Sequence, residues 1–195
     1  MLSSKDSLKI LKKTDALLEG HFVLSSGLHS SKYIQCAKLL SYPHLAKNIC
    51  LSLSEKIKKN YKNIDLILSP AIGGIIIGYE IGKLLKKETI FCERVKGIFK
   101  LRRGFRIKKK NKVLIIEDVI TTGKSSLECL KLIKKAGAKV IGFACIIDRS
   151  NKKTLKIKQK IVSHMKIEVP TFNKNKLPSK LKSIPISRPG SRHVK

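Results

Sequence analysis

Residues 112–126, KVLIIEDVITTGKSS, have the clearest capacity for chemistry. An apolar run, 113–116, leads directly into two adjacent carboxylates, Glu117 and Asp118, and then into a polar turn. That turn opens a predicted helix, where successive backbone N–H groups and hydroxyls form a site suited to a phosphate group. Two neighbouring carboxylates beside a phosphate need hydroxyl donors or a cation as partners, which favours a ribose diol and Mg²⁺.

Two other interpretations of this segment are possible from its residues. Gly123, Lys124 and Ser125 invite comparison with the phosphate-binding loop of ATP hydrolases, but that motif needs a glycine where Asp118 stands. ATP hydrolysis by that route is therefore disfavoured. A purely structural interpretation stays open, in which the two acids cap the following helix while Thr121 and Thr122 fill a turn.

Alternating strand-like and helix-like segments must position these residues, and they predict an α/β fold. Continuous apolar runs predict parallel strands covered on both faces, at residues 64–68, 90–92, 113–116 and 140–147. Helices are predicted over residues 4–19, 43–60, 74–85 and 124–136. Ligands bind at the carboxyl ends of strands in such a sheet, so the twin acids and Arg149 are expected at one edge.

Residues 112–126 resemble the phosphoribosyl pyrophosphate (PRPP) signature of the type I phosphoribosyltransferases: an apolar strand, two acids and a Thr-Thr-Gly-x-Ser turn. Further segments resemble the orotate-using branch of that family, namely GHFVLSSGLHSSKYIQC (20–36), SPAIGGIIIGYEIG (69–82), FCERVKGIFKLRRGF (91–105) and CIIDRS (145–150). The resemblance implies a central, mostly parallel sheet flanked by helices, with a small hood. We expect one domain over residues 1–169, its hood mainly from 1–40, and a basic, proline-containing tail over 170–195.

The resemblance also implies an activity, a pentosyl transfer in pyrimidine (UMP) biosynthesis. The phosphoribosyl group of PRPP passes to orotate, giving orotidine 5′-monophosphate and pyrophosphate. The reaction uses Mg²⁺, which PRPP is expected to carry into the site near Asp118, and no side chain is assigned as a direct ligand of the ion. Catalytic roles are implied for Glu117, Asp118 and Arg103. Orotate contacts are implied for Thr121, Arg149 and Ser26. PRPP contacts are implied for Glu117, Asp118, Val119, Ile120, Thr121, Thr122, Gly123, Lys124, Ser125 and Arg94.

The segment 93–106 gathers cations around Gly97 and Gly104, which predicts a mobile lid over pyrophosphate. In the resembled family such a lid is often shared across a homodimer interface, so a homodimer is expected. A solvated basic hairpin is the alternative. For Arg149, the alternative to gripping the orotate carboxylate is an ion pair with Asp148. Gly73 stands where many members of the resembled family carry lysine.

Composition bounds the remaining possibilities. The chain has 195 residues, with 43 Lys and Arg against 13 Asp and Glu, a net charge of +30 that calls for an anionic partner. Aromatic residues make up 5 % and tryptophan is missing, which disfavours specific nucleic-acid recognition. No apolar run reaches the roughly 20 residues of a membrane span, and no secretory signal is visible, so a cytoplasmic enzyme is expected. Two rival functions remain: a PRPP-dependent transferase for another nucleobase, and a PRPP-fold regulator that binds nucleic acid.

Overall fold

The computed structural model describes residues 2–24, 27–151 and 155–187. It divides into two compact units: a larger one, His44–Ile167, and a smaller one that joins Ser3–Pro43 to the segment beginning at Glu168. In chain order the helices and strands are α1 (Ser4–Lys13), β1 (Leu17–Val23), β2 (His29–Ile34), α2 (Cys36–Leu40), α3 (Pro43–Asn60), β3 (Leu66–Pro70), α4 (Gly73–Leu85), β4 (Glu88–Val95), β5 (Ile98–Lys100), β6 (Lys112–Ile120), α5 (Lys124–Lys135), β7 (Lys139–Asp148), β8 (Ile161–Lys166), β9 (Thr171–Phe172), α6 (Ser179–Lys182) and β10 (Ile186–Ser187).

The larger unit is built on a six-stranded sheet in the order β5-β4-β3-β6-β7-β8. Strands β4, β3, β6, β7 and β8 pair in parallel, and only the short β5 is antiparallel to its neighbour. Val113, Leu114, Ile115 and Ile116 of β6 are all fully buried, as a strand covered on both faces requires. This confirms the α/β fold with a mostly parallel sheet.

Strand β6 is longer than its apolar run. Glu117 pairs with Cys145 of β7, and Ile120 pairs with Asp148, so the two acids lie inside the strand rather than after it. Hydrogen bonds to β7 satisfy the backbone of this polar part. The apolar pattern marked only the section of the strand that packs in the core.

The first predicted helix was too long. Helix α1 ends at Lys13, where Thr14 caps it, and β1 begins at Leu17. Asp15 follows the cap with a φ of 53°, in the left-handed region that ends helices. The predicted helix over residues 4–19 includes Leu18, but a single leucine fits the period of a strand equally well.

The smaller unit holds a four-stranded sheet in the order β10-β1-β2-β9. Strand β9 pairs with β2 and β10 pairs with β1, so the segment after Pro170 contributes two strands to this unit. The Nδ1 atom of His21 also lies 3.1 Å from the carbonyl oxygen of Ile184. The expected boundary at residue 170 therefore differs from the observed division, because strands of two residues leave no periodic pattern in the sequence.

Candidate functional site

The loops after β3, β6 and β7 meet at the carboxyl edge of the six-stranded sheet. The backbone N–H of Arg149, just after β7, donates to the carbonyl oxygen of Ile120 at the end of β6, 2.8 Å away. The start of α4, after β3, reaches the side chain of Asp118 at Gly73. The structure thus brings the twin acids, the polar turn and Arg149 to one edge.

Glu117 is buried against α5, with 8 % of its surface exposed. Its Oε1 atom accepts a hydrogen bond from the hydroxyl of Ser126, which is fully buried. Burial raises the pKa of Glu117 from 4.5 to about 7, and the bond from Ser126 opposes part of that rise. The side chain therefore ties β6 to α5, and its carboxyl group is poised to hold or release a proton near neutral pH.

Asp118 is half-buried and lies against the first residue of α4. Its Oδ1 atom accepts a hydrogen bond from the backbone N–H of Val119, 2.9 Å away. Burial raises the pKa of Asp118 above its ordinary value. A Cβ atom at Gly73 would lie 2.8 Å from Oδ2 and 2.9 Å from Oδ1, so no other residue fits there without moving the carboxylate. This close approach explains why position 73 carries glycine in this chain.

The polar turn that follows β6 opens α5. Thr121, Thr122 and Lys124 are exposed and Ser125 is half-buried. Gly123 precedes the first turn of the 12-residue helix α5, so backbone N–H groups at its amino terminus face the same edge as the acids. The arrangement suits a phosphate group.

Two features of the structure require glycine at position 123. Its φ of 74° lies in the left-handed region, and a Cβ atom there would come within 2.6 Å of the Ile157 side chain. The backbone N–H of Lys156 donates to the carbonyl oxygen of Thr122, 3.2 Å away. The segment from Leu155 to Ile157 therefore supports the turn from behind.

Val119 and Ile120 were predicted to contact PRPP as part of the signature. The structure buries the side chain of Ile120, and the carbonyl oxygen of that residue already accepts from Arg149. Val119 is half-buried and pairs with Ile147 of β7. Their position in β6 sets the register of the turn.

Arg149 is half-buried beside the end of β6. The preceding Asp148 uses Oδ1 to accept from the backbone N–H of Ser150, 2.8 Å away, which fixes the bend after β7. Ser26, the other predicted orotate contact, lies outside the described residues.

The two predicted lid arginines are bound to carboxylates of the same unit. Arg94 lies 2.8 Å from Glu128 of α5 and stacks over the ring of Phe99 at 4.0 Å, and Arg103 lies 3.3 Å from Glu93. Phe99 is buried, so the β4–β5 hairpin is anchored to the body of the unit. Within the part of the chain that the structure describes, these arginines contact Glu128, Phe99 and Glu93, and their roles on PRPP stay predictions.

Sequence reasoning missed three residues that shape the site, Ser126, Ile157 and Glu128, and it singled out Gly73 without foreseeing its close approach to Asp118. Each acts through a contact between segments that are distant in the chain or on the buried face of a helix. Ser126 is the one with a usable signal, since a serine one turn into an amphipathic helix is polar where an apolar residue is expected.

In residues 2–24, 27–151 and 155–187, no three or more His, Cys, Asp or Glu side chains group as a metal site would need. Over the same ranges, no helix combines the length and apolarity that crossing a membrane demands.

Comparisons with known proteins agree with this geometry. The family model for the phosphoribosyl transferase domain matches residues 39–181. The orotate phosphoribosyltransferase of Parvibaculum lavamentivorans is 46 % identical over 188 residues, which cover 96 % of each chain. That of Caldicellulosiruptor saccharolyticus is 44 % identical, over 96 % of this chain and 97 % of the relative.

Solved structures show the same fold. The orotate phosphoribosyltransferase of Aeropyrum pernix superposes with a TM-score of 0.70 at 25 % identity, over 82 % of this chain and 92 % of that one. The UMP synthase of Leishmania donovani gives a TM-score of 0.71 at 22 % identity, over 85 % of this chain and 37 % of the longer protein. The twin acids, the helix-opening turn and near-full-length identity above 40 % lead to one conclusion: this chain belongs to the orotate phosphoribosyltransferase family, within the phosphoribosyl transferase domain proteins.

Proposed function

We propose that this protein transfers the 5-phosphoribosyl group of PRPP to the ring nitrogen of orotate, giving orotidine 5′-monophosphate and pyrophosphate. This is a pentosyltransferase reaction (EC 2.4.2.10) in pyrimidine biosynthesis. The observation that carries the proposal is the phosphate-suited turn 121–125 at the amino end of α5, placed directly after Glu117 and Asp118 and beside Arg149.

The 5′-phosphate of PRPP binds at the turn. Backbone N–H groups from Thr121 to Ser125 and the exposed hydroxyls of Thr121 and Thr122 donate to its oxygens, and the positive end of the α5 dipole adds to the attraction. Asp118 accepts hydrogen bonds from the ribose hydroxyls. Glu117, which is buried and accepts a hydrogen bond from Ser126, is the second carboxyl group beside the ribose. The sugar is thereby held with its reactive carbon over the sheet edge.

Orotate binds on the Arg149 side of the same edge. A planar guanidinium donates two parallel hydrogen bonds to a carboxylate, which matches the carboxylate that distinguishes orotate from uracil. The hydroxyl of Thr121 and that of Ser26 complete the set of proposed contacts. Selectivity for a carboxylated base then depends on Arg149.

Cleavage of the sugar–pyrophosphate bond leaves positive charge on the ribose and negative charge on the leaving group. Asp118 stabilises the first. Arg94 and Arg103 stabilise the negative charge of the leaving group by exchanging Glu128 and Glu93 for pyrophosphate oxygens, because both guanidinium groups are exposed enough to leave their half-buried carboxylates. Closure of residues 101–106 of the predicted lid, which follow the anchored hairpin, excludes water from the reacting carbon.

Magnesium fits the donor set at this edge. Asp118 and Glu117 supply hard carboxylate oxygens, and Mg²⁺ is commonly bound by one or two carboxylates together with substrate phosphates. When bound with PRPP, the ion neutralises pyrophosphate charge. The residues that would hold it are Asp118 and, through the ribose, Glu117.

A homodimer is the assembly we propose. Helix α4 follows the site loop and exposes three large apolar side chains near its start, Ile72, Ile76 and Tyr79, at 87, 54 and 67 %. Their spacing places them on one stripe of the helix. A second copy of the chain covers this stripe in the proposed dimer, so lid residues can be shared between the two copies.

The test mixes protein, PRPP and Mg²⁺ with orotate, uracil or adenine and follows the absorbance of each base. We expect orotate to be consumed and the other two to be left. Asp118→Asn should lower turnover at least 100-fold with an unchanged unfolding midpoint. Asp65→Asn, a matched change where β3 begins, should leave turnover intact. Consumption of uracil or adenine in place of orotate would assign another base, and equal loss of stability and activity in Asp118→Asn would support a helix-capping role.

A further inference from the structure

Twelve exposed lysines lie along the edge of the larger unit where its strands begin and its helices end. They come from the ends of α3, α4 and α5, the loop before β6 and the first residues of β6 and β7. They are Lys58, Lys59, Lys62, Lys86, Lys87, Lys108, Lys109, Lys110, Lys112, Lys134, Lys135 and Lys139, and together they are called the lysine edge below.

Backbone contacts join these segments into one continuous surface. The N–H of Lys110 donates to the carbonyl oxygen of Gly137 at 2.9 Å, and that of Lys139 donates to Asn111 at 2.8 Å. Lys112 and Asp65 exchange two hydrogen bonds, from the N–H of Lys112 to the Asp65 carboxylate and from the N–H of Asp65 to the Lys112 carbonyl. Leu66 pairs with both Glu88 and Val113, which brings the segment at Lys86 and Lys87 to the same end of the sheet. The Tyr61 hydroxyl donates to the carbonyl oxygen of Phe143, which holds the end of α3 against β7. Segments spread from position 58 to 139 of the sequence are thereby gathered at one end of the sheet.

Acidic residues are sorted away from this edge. Of the nine Asp and Glu residues between positions 44 and 167, only Asp65 and Glu88 lie on it, which leaves a net charge of +10. Glu93, Glu117, Asp118 and Asp148 all lie at the carboxyl half of the sheet. The dipole of each helix favours lysines in its last turn. That effect does not reach the loop before β6 or the start of β7.

The side chains around the lysines define the partner's chemistry. In the described residues, the large exposed apolar side chains all lie elsewhere, so the lysine edge has nothing to insert into a lipid bilayer. Tyr61 is buried, so no exposed aromatic ring stands here to stack on an unpaired base. Flexible amines, with Asn60, Asn63 and Asn111 between them, suit an array of phosphates whose bases are enclosed.

The net charge of the lysine edge is close to the number of phosphates on a duplex of the same length. Strands β4, β3, β6 and β7 are neighbours, and at about 4.8 Å per spacing they span about 14 Å. A duplex carries one negative charge per roughly 1.7 Å of axis, so the same length presents about eight phosphates. We propose that the lysine edge binds double-helical nucleic acid through its phosphate backbone, without reading sequence.

The lysine edge and the candidate active site lie at opposite ends of β6. At about 3.3 Å per residue, Asp118 is about 20 Å from Lys112 along this strand, and the turn that begins at Thr121 is about 30 Å away. Binding at the lysine edge therefore leaves the substrate site open, and the inference stands or falls independently of the proposed orotate reaction.

The experiment measures fluorescence anisotropy of a labelled 20-base-pair DNA duplex at several salt concentrations. One variant carries Lys109→Gln, Lys110→Gln, Lys112→Gln and Lys139→Gln. The matched control carries Lys5→Gln, Lys9→Gln, Lys12→Gln and Lys13→Gln in and around α1, which lowers the net charge by the same amount. Orotate turnover is measured for all three proteins, and sedimentation with anionic phospholipid vesicles is run in parallel.

We expect the wild type and the α1 control to bind the duplex alike at physiological salt, and the lysine-edge variant to bind at least tenfold more weakly. Its plot of log affinity against log salt should lose about three to four units of slope. Turnover should be the same in all three. Equal weakening in both variants would show a non-localised charge effect, and no duplex binding, or capture by vesicles in preference to the duplex, would equally overturn the proposal.

Discussion

At the scale of the residue, Glu117 is a buried carboxyl group whose pKa is raised by its burial. The group lies inside β6, bonded to Ser126, and its pKa is raised to about 7. A carboxyl group whose folded pKa exceeds its unfolded value contributes most stability when protonated, and that stability is lost as pH rises through the folded value. The shift from 4.5 corresponds to about 3 kcal/mol between acid and alkaline pH.

His164 makes the stability of the fold depend on pH in the opposite direction. Burial, and then the nearby charge of Lys56, lower its pKa from 6.5 to about 4. A lowered histidine pKa means stability that is present above pH 6.5 and is lost as pH falls towards 4. The two groups therefore offset each other between about pH 4.5 and 6.5, and the wild-type profile hides both.

Glu117→Gln should expose these two effects. The amide still accepts from Ser126 but cannot ionise, so the variant should unfold at higher urea concentration than wild type at pH 8. Its stability should fall more steeply than that of the wild type on acidification from pH 7 to 4, because the lowered pKa of His164 then acts without the opposing shift of Glu117, and the raised pKa of Asp118 is common to both proteins. Urea unfolding at pH 4, 6 and 8 in the absence of Mg²⁺ checks this, and a variant less stable than wild type at pH 8 would contradict the buried, proton-binding state of Glu117.

Arg149→Ala should act mainly on orotate. Losing a bidentate, charge-assisted pair costs about 2–3 kcal/mol, equivalent to a 30- to 150-fold fall in kcat/KM for orotate. The KM for PRPP should change less than threefold. Steady-state kinetics with each substrate varied in turn separates the two. Arg149→Lys, which keeps the charge without the fork, should recover only a small part, and wild-type kinetics in Arg149→Ala would remove this residue from the site.

At the scale of the element, the junction between β6 and α5 sets the site. Nine residues of strand bring Glu117 and Asp118 to the edge, and the turn at Gly123 reverses the chain into a helix whose amino end faces them. The strand, the turn and the helix were predictable from one apolar run and one polar cluster. The support from Ile157 was not, because that contact joins segments 34 positions apart in the numbering.

Gly123→Ala tests this junction. A methyl group there meets Ile157 and forces a strained φ, so the free energy of unfolding should drop by about 2–4 kcal/mol and the KM for PRPP should rise at least tenfold. Gly137→Ala is the matched control, since its φ of 71° is similar but its neighbour is the flexible side chain of Lys109. That variant should lose about 1 kcal/mol and keep its PRPP kinetics. Equal effects in the two variants would show that Ile157 does not support the turn.

At the scale of the whole molecule, the parallel sheet and the place of its acids followed from sequence, because buried parallel strands have an apolar pattern that few other structures share. The smaller unit was predicted less well: β9 and β10 contain two residues each and are held by pairing with β1 and β2. The ion pairs of Arg94 with Glu128 and of Arg103 with Glu93 could not be predicted either, because nothing in the local sequence selects one carboxylate among many for each arginine.

The most direct test of the account is a crystal structure with orotidine 5′-monophosphate bound. We predict the phosphate on the backbone N–H groups of the turn 121–125, the ribose hydroxyls on Asp118 and the base carboxylate within hydrogen-bond distance of the Arg149 guanidinium. A nucleotide seated away from that turn, or one whose carboxylate faces any group other than Arg149, would contradict it.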